Sequence, residues 1–548
     1  MGGMHSAPTI CTQGLSAAFV AIGFPSWHEH CEMKGMNNKL TAGSGTRPYW
    51  LDPPEEAFFP KLSEDLETEV LVIGGGITGV TTAWLLARDG RQVTLVERET
   101  IGARDSGHTT AHLTYMTDTR LSELIATFSR RQAQLAWQAG QEAMELIRDT
   151  VEALSIDCNF AVIPGYLAAA EEADQSLEGV SLRHEADLAR ELGFEVEMDG
   201  VNPITGSTAI VFPGQMRFHP LKYLRALAQD AARRGARIFE NTEVESFEDD
   251  PQRVIAQGKD IRYQRVVIAT HVPLQGTART LGAALFQSKL ALYSTYAIAA
   301  RVPVASVKEL IWSDTADPFR YLRMEKLGDS GLAIFGGEDH KTGKEDDTAA
   351  CFTRLEQRLA RWLHEAVVTH RWSGQVVETV DGLPFIGEST ENQFIATGYS
   401  GNGYTFGTAA AIMARDWANG IVHRWSAVFD PGRKSAPAIK EYLKENADYP
   451  VHMVRDRIKT PKGNPDLLKP GEGEVMEHDG ERIAAYRNPE GELHLCSAIC
   501  PHLGCIVAWN PAEQTWDCPC HGSRFTATGT VIAGPAESDL KQLSFHKA

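Results

Sequence analysis

Long apolar runs and blocks of positive charge are both missing from this sequence. No stretch of 18 apolar residues occurs, so the sequence predicts no transmembrane helix. The net charge is −19 and no Lys/Arg-rich block stands out. Such a surface repels nucleic acid and anionic lipid, and we exclude both as partners. With 43% apolar and 23% charged residues, we expect a globular protein of the cytoplasm.

A convincing secretion signal is also missing. Residues 14–26 are mildly apolar but too short to span a bilayer, and no Lys or Arg precedes them. Residues 1–45 are loop-rich and differ in pattern from the rest of the chain. The sequence therefore predicts a disordered or atypical leader over these residues.

Cysteine is scarce and unevenly placed. The last tenth of the chain holds a crowded group, which is Cys496, Cys500, Cys505, Cys518 and Cys520. A secreted disulfide scaffold spreads its cysteines through a short chain, whereas local crowding with interleaved histidines is typical of a metal site.

Two short loops within this group carry the metal-binding pattern. Residues 500–505 read Cys-Pro-His-Leu-Gly-Cys, and residues 518–523 read Cys-Pro-Cys-His-Gly-Ser. Each loop supplies one thiolate and one imidazole, which predicts a two-iron, two-sulfur cluster with mixed ligands. Imidazole ligands raise the potential to about −150 to +300 mV, against about −400 mV for all-cysteine plant-type clusters. Tetrahedral zinc is the alternative, but the C-x-H and C-x-x-H spacing differs from that of zinc fingers. The predicted ligands are Cys500, His502, Cys518 and His521.

The length of 548 residues allows about three domains of 100–200 residues each. Near the start, residues 69–73 predict a strand and residues 77–88 a helix. Residues 92–97 predict a second strand, so the segment forms a βαβ unit.

The turn inside this unit has the pattern of a dinucleotide site. It reads Gly74-x-Gly76-x-x-Gly79 between a strand and a helix. The first glycine permits the tight turn, the second lets the backbone approach a pyrophosphate, and the third lets helix and strand pack closely. The phosphates then lie at the helix N-terminus. Glu97 ends the next strand, where an acid accepts hydrogen bonds from a ribose 2′-OH, and it argues against NADP.

The periodicity of the remaining chain predicts further elements. Helical spacing occurs over residues 120–153, 221–234, 350–365 and 406–420. Strand patterns occur over residues 236–247, 265–270, 289–301 and 317–337, and the last two alternate like strands of an antiparallel sheet. Residues 425–470 have little periodicity and predict a linker, and short strands of a small β domain follow.

Several segments match one enzyme family. They are the glycine turn with Glu97-Arg98, residues 106–111, 235–244, 266–270, 381–384 and 398–405. From about residue 68 to 425 the chain thus resembles the D-amino-acid-oxidase-like family of FAD oxidoreductases. The resemblance implies FAD as the dinucleotide. It also implies an α/β FAD-binding (Rossmann-like) domain with an inserted antiparallel-sheet substrate domain. In that family the last segment passes the flavin ring at a helix N-terminus.

The resemblance also implies which residues contact FAD. They are Gly74, Gly76, Ile77, Thr78, Gly79, Glu97, Arg98, Thr109, Thr110, Val244, Thr270, Asn402, Gly403 and Tyr404. Some relatives attach FAD covalently through a His or Cys, but we expect His108 to lie near the flavin without a bond. No second strand-coupled glycine pattern occurs, which favours direct oxidation of a substrate over a pyridine-nucleotide reductase.

Residues 470–545 resemble the Rieske family through the two ligand loops. The resemblance implies a disulfide between Cys505 and Cys520, as in the cytochrome-complex type. It further implies that Gly534-Pro535-Ala536 is the loop that covers the cluster and that Ser523 donates to a cluster sulfur.

Phe525 stands where high-potential Rieske proteins carry a tyrosine. Its ring has no hydroxyl, and hydrogen-bond donors to the cluster sulfurs favour the reduced cluster. We therefore expect a potential below that of respiratory Rieske proteins.

The predicted domains follow from both resemblances. A FAD-dependent oxidoreductase spans 46–425, followed by a linker at 426–465 and a small all-β Rieske domain at 466–548. The predicted FAD-binding parts are 66–118, 205–275 and 366–425, and the predicted substrate parts are 119–204 and 276–365.

A flavin accepts a hydride, whereas a cluster of this type accepts one electron at a time. Because one chain would hold both groups, we expect an FAD-dependent oxidoreductase. Family resemblance implies a small amine or amino acid as substrate, oxidised at its C–N bond. The electrons would leave through the cluster to an unidentified external acceptor. Candidate catalytic residues are Tyr321, Arg323, His340 and Tyr404, with Arg323 as a possible clamp for a carboxylate.

Two other functions stay open at this point. One is a redox carrier or sensor without catalysis. The other is a Rieske oxygenase, which needs a mononuclear iron held by two His and a carboxylate. No Asp/Glu-x-x-His-x-x-x-x-His segment occurs, and the Rieske region lies at the opposite end from that expected for an oxygenase.

Overall fold

The computed structural model describes residues 46–52, 57–249, 252–273, 289–433 and 460–543. The predicted leader at 1–45 lies outside these residues. The helices are α1 Ile77–Arg88, α2 Leu121–Thr127, α3 Arg130–Leu154, α4 Gln175–Glu191, α5 Pro220–Arg233, α6 Thr348–Trp362, α7 Gly403–Ala418 and α8 Ser426–Phe429.

The strands form four sheets among the described residues. They are β1 Leu66–Ile73, β2 Val93–Val96, β3 His112–Leu113, β4 Ala161–Ala168, β5 Glu197–Val201, β6 Thr208–Arg217, β7 Arg237–Phe239, β8 Val244–Asp249, β9 Gln252–Ala256, β10 Lys259–Ile268, β11 Leu290–Pro303, β12 Leu310–Asp314, β13 Tyr321–Leu327, β14 Ser330–Lys341, β15 Val367–Thr379, β16 Phe385–Thr390, β17 Gln393–Thr397, β18 Gly473–His478, β19 Glu481–Arg487, β20 Leu493–Ser497, β21 Ala508–Asn510, β22 Thr515–Asp517, β23 Arg524–Thr526 and β24 Val531–Ala533.

The first sheet has the order β16-β17-β10-β1-β2-β7, with β8 and β9 attached to β10. Strands β1, β2, β10, β17 and β7 run parallel. The four residues Val70–Ile73 are buried on both faces, and α1 is buried except at its last residue. Unbroken apolar runs of this kind are typical of parallel strands covered by helices on both faces. The predicted βαβ unit is confirmed.

The second sheet has the order β15-β11-β14-β13-β12-β4-β6-β3, with β5 paired to β6. All its pairs are antiparallel except β12 with β4. By pairing, residues 208–217 and 367–379 belong to this sheet, although the sequence-based boundaries placed them in the FAD-binding parts. Only long-range pairing decides which sheet a strand joins.

The predicted single helix over 120–153 is wrong in one respect. It is two helices, α2 and α3, separated at Phe128 and Ser129. The Ser129 hydroxyl accepts a hydrogen bond from the Gln132 backbone N–H at 3.2 Å. A serine in this position satisfies an otherwise unpaired N–H and starts a new helix.

The predicted linker at 426–465 is too wide at both ends. Val428 and Phe429 of α8 are buried, and Arg433 forms an ion pair with Asp381 at 2.6 Å. At the other end, the Pro461 carbonyl accepts from the Glu477 N–H at 2.8 Å. The part of the predicted linker at 434–459 lies outside the described residues.

The C-terminal part consists of two small antiparallel sheets, β18-β19-β20 and β21-β22-β23-β24. Trp516 and Phe525 are fully buried between them and pair across β22 and β23. The small all-β domain is confirmed. None of the helices in the described ranges has both the length and the hydropathy that crossing a membrane requires.

Candidate functional site

The glycine turn after β1 leaves no room for side chains. Gly74 has φ of +108°, and a Cβ there would lie 2.4 Å from the Ala269 carbonyl oxygen. A Cβ on Gly79 would lie 1.8 Å from the Gly74 carbonyl oxygen. The turn therefore needs glycine for its conformation at Gly74 and for close packing of helix on strand at Gly79.

A carboxylate and a hydroxyl complete this turn. The Glu97 carboxylate accepts from the backbone N–H of Gly75 at 2.6 Å and of Glu99 at 2.7 Å. Burial raises the pKa of Glu97. The Ser106 hydroxyl accepts from the Ile77 N–H at 3.1 Å, at the N-terminus of α1. An acid at the end of β2 can accept from ribose hydroxyls, and the helix N-terminus beside it can donate to a pyrophosphate.

A cavity of about 1710 Å³ opens at this turn and extends under the second sheet. The predicted FAD residues that line it are Gly74, Gly76, Ile77, Thr78, Glu97, Arg98, Thr109, Thr110, Val244, Thr270, Asn402, Gly403 and Tyr404. Gly79 lies behind this surface, consistent with its packing against the turn. The dispersed segments that suggested an FAD site thus meet around one cavity.

The N-terminus of α7 is fixed by two of these side chains. The Asn402 amide donates to the Met116 carbonyl at 2.8 Å. The Tyr404 hydroxyl donates to the Ser106 carbonyl at 3.1 Å, and burial raises the pKa of Tyr404 well above its usual value. The Tyr404 hydroxyl thus ties the start of the helix to residue 106, and its catalytic role stays a prediction.

Arg323 is not the predicted carboxylate clamp. It does not line the cavity, and its side chain is only 1% exposed. Its guanidinium donates to the Ala111 carbonyl and to Glu325, both at 2.9 Å. A second arginine, Arg217, pairs with the same Glu325 at 2.7 Å. Arg323 is therefore part of a buried ion cluster in the fold.

His340 is also misassigned as a catalytic residue. Its ring stacks on Tyr296 at a centroid distance of 5.5 Å, and Nδ1 lies 3.2 Å from the Glu338 carbonyl oxygen. Its side chain does not line the cavity. A register shift between β11 and β14 turns the neighbouring residue, Asp339, toward the cavity instead.

Tyr321 is the candidate that the structure places on the cavity wall. Its hydroxyl lies 2.6 Å from Thr295 Oγ1. A Cβ on Gly336, the residue opposite it on β14, would lie 2.3 Å from the ring. The ring thus lies flat over a glycine and presents its hydroxyl to the cavity.

The sequence missed several titratable residues of the cavity wall, and the pKa values of three of them are strongly shifted. Burial raises the pKa of Asp339 to about 7 and that of Asp118 to about 6. Burial also lowers the pKa of His112 to about 3, so this ring is neutral. Asp118 accepts from the Gly401 N–H at 2.6 Å, next to α7. No local motif marks these residues, because pairing of distant strands brings them together.

The four predicted cluster ligands lie together at the tips of two loops. Cys500 and Cys518 are each 1% exposed, and their thiols are within hydrogen-bonding range. The rings of His502 and His521 have centroids 4.8 Å apart. Burial lowers the pKa of both histidines to about 4, so they are neutral, the form that binds metal. A thiol pair beside an imidazole pair fits a cluster with two Cys on one iron and two His on the other.

The loops around these ligands agree with the predicted subtype. Cys505 and Cys520 form the predicted disulfide. The Ser523 hydroxyl is within hydrogen-bonding range of Cys500 and accepts from the Ala536 N–H at 3.1 Å. A Cβ on Gly534 would lie 2.5 Å from the Ser523 Cα, so the proline loop packs directly on the ligand loop.

The C-terminal domain packs against the second sheet. The Gln375 amide of β15 donates to the Gly522 carbonyl, next to His521, at 2.8 Å. The Arg98 guanidinium at the glycine-turn end of the cavity donates to the Ile532 carbonyl at 2.7 Å. Several residues of this domain line the large cavity, and these are Arg524, Val531, Ile532, Ala533, Gly534, Ala536, Glu537, Ser538 and Asp539.

The family model described as FAD dependent oxidoreductase matches residues 69–417 of this chain. This chain belongs to the FAD-dependent oxidoreductase family. A second model, described as Rieske [2Fe-2S] domain, matches residues 460–544. This FAD-dependent oxidoreductase therefore carries a C-terminal Rieske domain, as the two resemblances implied.

A relative from Bacillus subtilis strain 168 is similar to this chain over nearly its whole length. It is YhfW, whose name describes a Rieske 2Fe-2S iron-sulfur protein, and it is 32% identical over 93% of this chain and 99% of its own. The iron-sulfur subunit of the cytochrome b6-f complex of Synechococcus elongatus is 54% identical over 91 residues, which are 16% of this chain and 42% of that subunit.

Among solved structures, glycine oxidase from Geobacillus kaustophilus has the same fold over the flavin region. It covers 67% of this chain and 99% of its own, with a TM-score of 0.56 and 23% identity. This FAD-dependent oxidoreductase binds FAD, and its Rieske domain binds a [2Fe-2S] cluster. The glycine turn and the thiol and imidazole pairs described above fit these two groups.

Proposed function

We propose that this flavoprotein oxidises a small amine or amino acid and passes the electrons singly through its Rieske cluster to an external acceptor. FAD supplies the two-electron chemistry, since it accepts a hydride from the carbon that bears the nitrogen. The chain binds the substrate, positions it and handles its proton. The acceptor and the cytoplasmic location stay predictions.

One observation supports this proposal above the others. Residues 531–534 and 536–539 of the Rieske domain and the glycine turn at 74–76 line the same cavity. The Gly534-Pro535-Ala536 loop, which follows β24, also packs on Ser523 in the loop that carries Cys518 and His521. The segment that lines the FAD cavity therefore also contacts a loop that holds the cluster, and this segment offers a route for electrons from FAD to the cluster.

The N-terminus of α7 supports oxidation at the flavin seat. Gly403 begins this helix at the cavity wall, and its position is fixed by Asn402 and Tyr404. The backbone N–H groups at a helix N-terminus stabilise negative charge. With FAD bound at this wall, the N-terminus of α7 would stabilise the negative charge of a reduced ring.

The two alternatives explain less of the structure. A redox carrier needs a flavin seat, but it does not need the part of the cavity under the second sheet that Tyr321 and Asp339 line. A Rieske oxygenase needs a mononuclear iron site, and the sequence has no segment with that ligand pattern.

Anaerobic mixing of the holoprotein with a panel of amines and amino acids tests the proposal. A substrate should bleach the flavin absorption, and the paramagnetic signal of the reduced cluster should follow without any added mediator. The Cys500→Ser variant, which lacks one cluster ligand, should still be bleached but should show no cluster signal. Bleaching of the wild-type flavin with a cluster that stays oxidised would contradict the electron route, and absence of bleaching with every compound would favour a carrier.

A further inference from the structure

A β-bulge in the second sheet turns an acidic side chain into the cavity. Thr295 of β11 stands opposite two residues of β14, Glu338 and Asp339. Glu338 has φ of +62°, a left-handed conformation that residues with side chains rarely adopt. Bulges re-aim side chains and are frequent beside active sites. This one brings Asp339 to the cavity wall, while His340 packs on the other face.

Asp339 shares this wall with Thr295, Tyr321 and His112, and we call these four residues the Asp339 site. The Thr295 hydroxyl contacts the Tyr321 hydroxyl at 2.6 Å and is also bonded to Asp339. The His112 and Tyr321 ring centroids are 5.8 Å apart. Within the described part of the chain, Asp339 Oδ1 and His112 Nε2 are buried and have no hydrogen-bond partner. Buried polar atoms without partners are costly, so both are suited to bind a polar group of a ligand.

The charge around the Asp339 site favours a cation. Asp118 lies close enough to raise the pKa of Asp339 and of Tyr321. Each arginine that lines the cavity in the described ranges already binds an oxygen of the protein, and these are Arg98, Arg104, Arg120 and Arg524. Arg323 does not line the cavity; its charge reaches His112, but its guanidinium is already paired with Glu325 at 2.9 Å. A ligand carboxylate here would meet negative charge without a cationic partner, whereas an ammonium group would be attracted.

We propose that Asp339 and Tyr321 bind the ammonium group of the substrate, and that Asp339 takes its proton, so that the preferred substrates are amines without a carboxylate beside the nitrogen. This inference rests on the proposed function and narrows its substrate class. In the proton transfer an N–H bond breaks and an O–H bond forms on Asp339. The electron pair stays on nitrogen and leaves the neutral amine, which is the form that can release a hydride from carbon.

The acidity of Asp339 suits this role. Its pKa near 7 results first from burial and then from Asp118 and Glu338, while the Thr295 hydroxyl lowers it. A base with a pKa close to the working pH both holds a proton and releases it readily. Ammonium binding requires the ionised carboxylate, so the affinity should rise as the pH rises through about 7.

Three small compounds of similar shape test the site in the full-length holoprotein. They are tert-butylamine, its carboxylate analogue pivalate, and 2-aminoisobutyrate, which carries both groups. The two amines have no hydrogen on the carbon that bears the nitrogen, and pivalate has no nitrogen, so binding is measured without oxidation. The readout is the difference absorption spectrum of the bound FAD. We expect tert-butylamine to bind at least about tenfold more tightly than either acidic compound.

Three variants test whether the binding of tert-butylamine depends on Asp339 and Tyr321. Asp339→Asn should weaken tert-butylamine binding at least about tenfold and abolish its rise with pH. Tyr321→Phe should weaken it less and keep the pH dependence. Asp317→Asn makes the same chemical change at an exposed residue of the same cavity. It should change neither the affinity for tert-butylamine nor the pH dependence of that affinity. Flavin content and melting temperature confirm that each variant is folded.

The possible failures can be told apart. Tighter binding of pivalate or 2-aminoisobutyrate, no binding of tert-butylamine, or unchanged binding in Asp339→Asn would overturn the Asp339 site. Flavin bleaching by some substrate would leave the proposed function intact in each of these cases. If tert-butylamine binds through Asp339 but no amine bleaches the flavin, the site stands and the oxidation proposal fails.

Discussion

A single buried carboxylate, Glu325, joins two arginines under the second sheet. It lies 2.7 Å from Arg217 and 2.9 Å from Arg323, and its side chain is 2% exposed. Removing one partner of a buried ion pair leaves uncompensated charge and costs about 3–5 kcal/mol. We expect Glu325→Gln to lower the free energy of unfolding of the flavin domain by about this amount, measured by denaturant titration of flavin and tryptophan fluorescence.

A matched control is available on the same arginine. Glu309 also pairs with Arg217, at 2.6 Å, but its side chain is 38% exposed. Glu309→Gln should cost less than about 1 kcal/mol, because exposed ion pairs contribute little. Equal effects of the two variants would show that burial does not govern this cluster.

At the level of elements, the contact of β1 with α1 depends on Gly79. A methyl group there would lie 1.8 Å from the Gly74 carbonyl oxygen, so Gly79→Ala must push the helix away from the turn. We expect the affinity for FAD to fall at least about tenfold, measured as the ratio of flavin to protein after dilution and filtration. Gly214 in β6 has open space around it and an ordinary φ. Retention of FAD in Gly79→Ala, or its loss in Gly214→Ala, would contradict this account.

At the scale of the whole molecule, Gln375 links the flavin part to the Rieske part. Its amide donates to the Gly522 carbonyl in a buried contact. Gln375→Leu leaves that carbonyl without its partner, at a cost of about 1–3 kcal/mol. We expect faster hydrogen exchange in β11 and β15 and slower reduction of the cluster after flavin bleaching, with both cofactors still bound.

The control for this prediction is a glutamine within one domain. Gln542 donates to the Thr528 carbonyl at the same distance, 2.8 Å, inside the Rieske part. Gln542→Leu should leave the rate of cluster reduction unchanged. A similar slowing in both variants would mean that Gln375 acts through general stability and not through docking.

Local motifs were readable from the sequence, and distant pairing was not. The glycine turn and the Cys–His loops were predicted because their chemistry needs particular residues within a short span. His340 was misjudged because the facing of a strand residue depends on its partner strands. Arg323 was misjudged because Ala111 and Arg217, which belong to its buried surroundings, are distant in the sequence. Because of the bulge opposite Thr295, Asp339 lines the cavity and His340 does not. The Rieske residues that line the cavity carry no local signal either, because their role arises from the packing of one domain on another.

The shared wall at residues 531–539 also bears on how the protein is assembled. The Rieske domain closes one part of the cavity that begins at the glycine turn, since that segment contributes to its lining. The same segment packs on a loop that holds the cluster. We therefore expect a chain that lacks the folded Rieske domain to hold its flavin less firmly than the full-length protein.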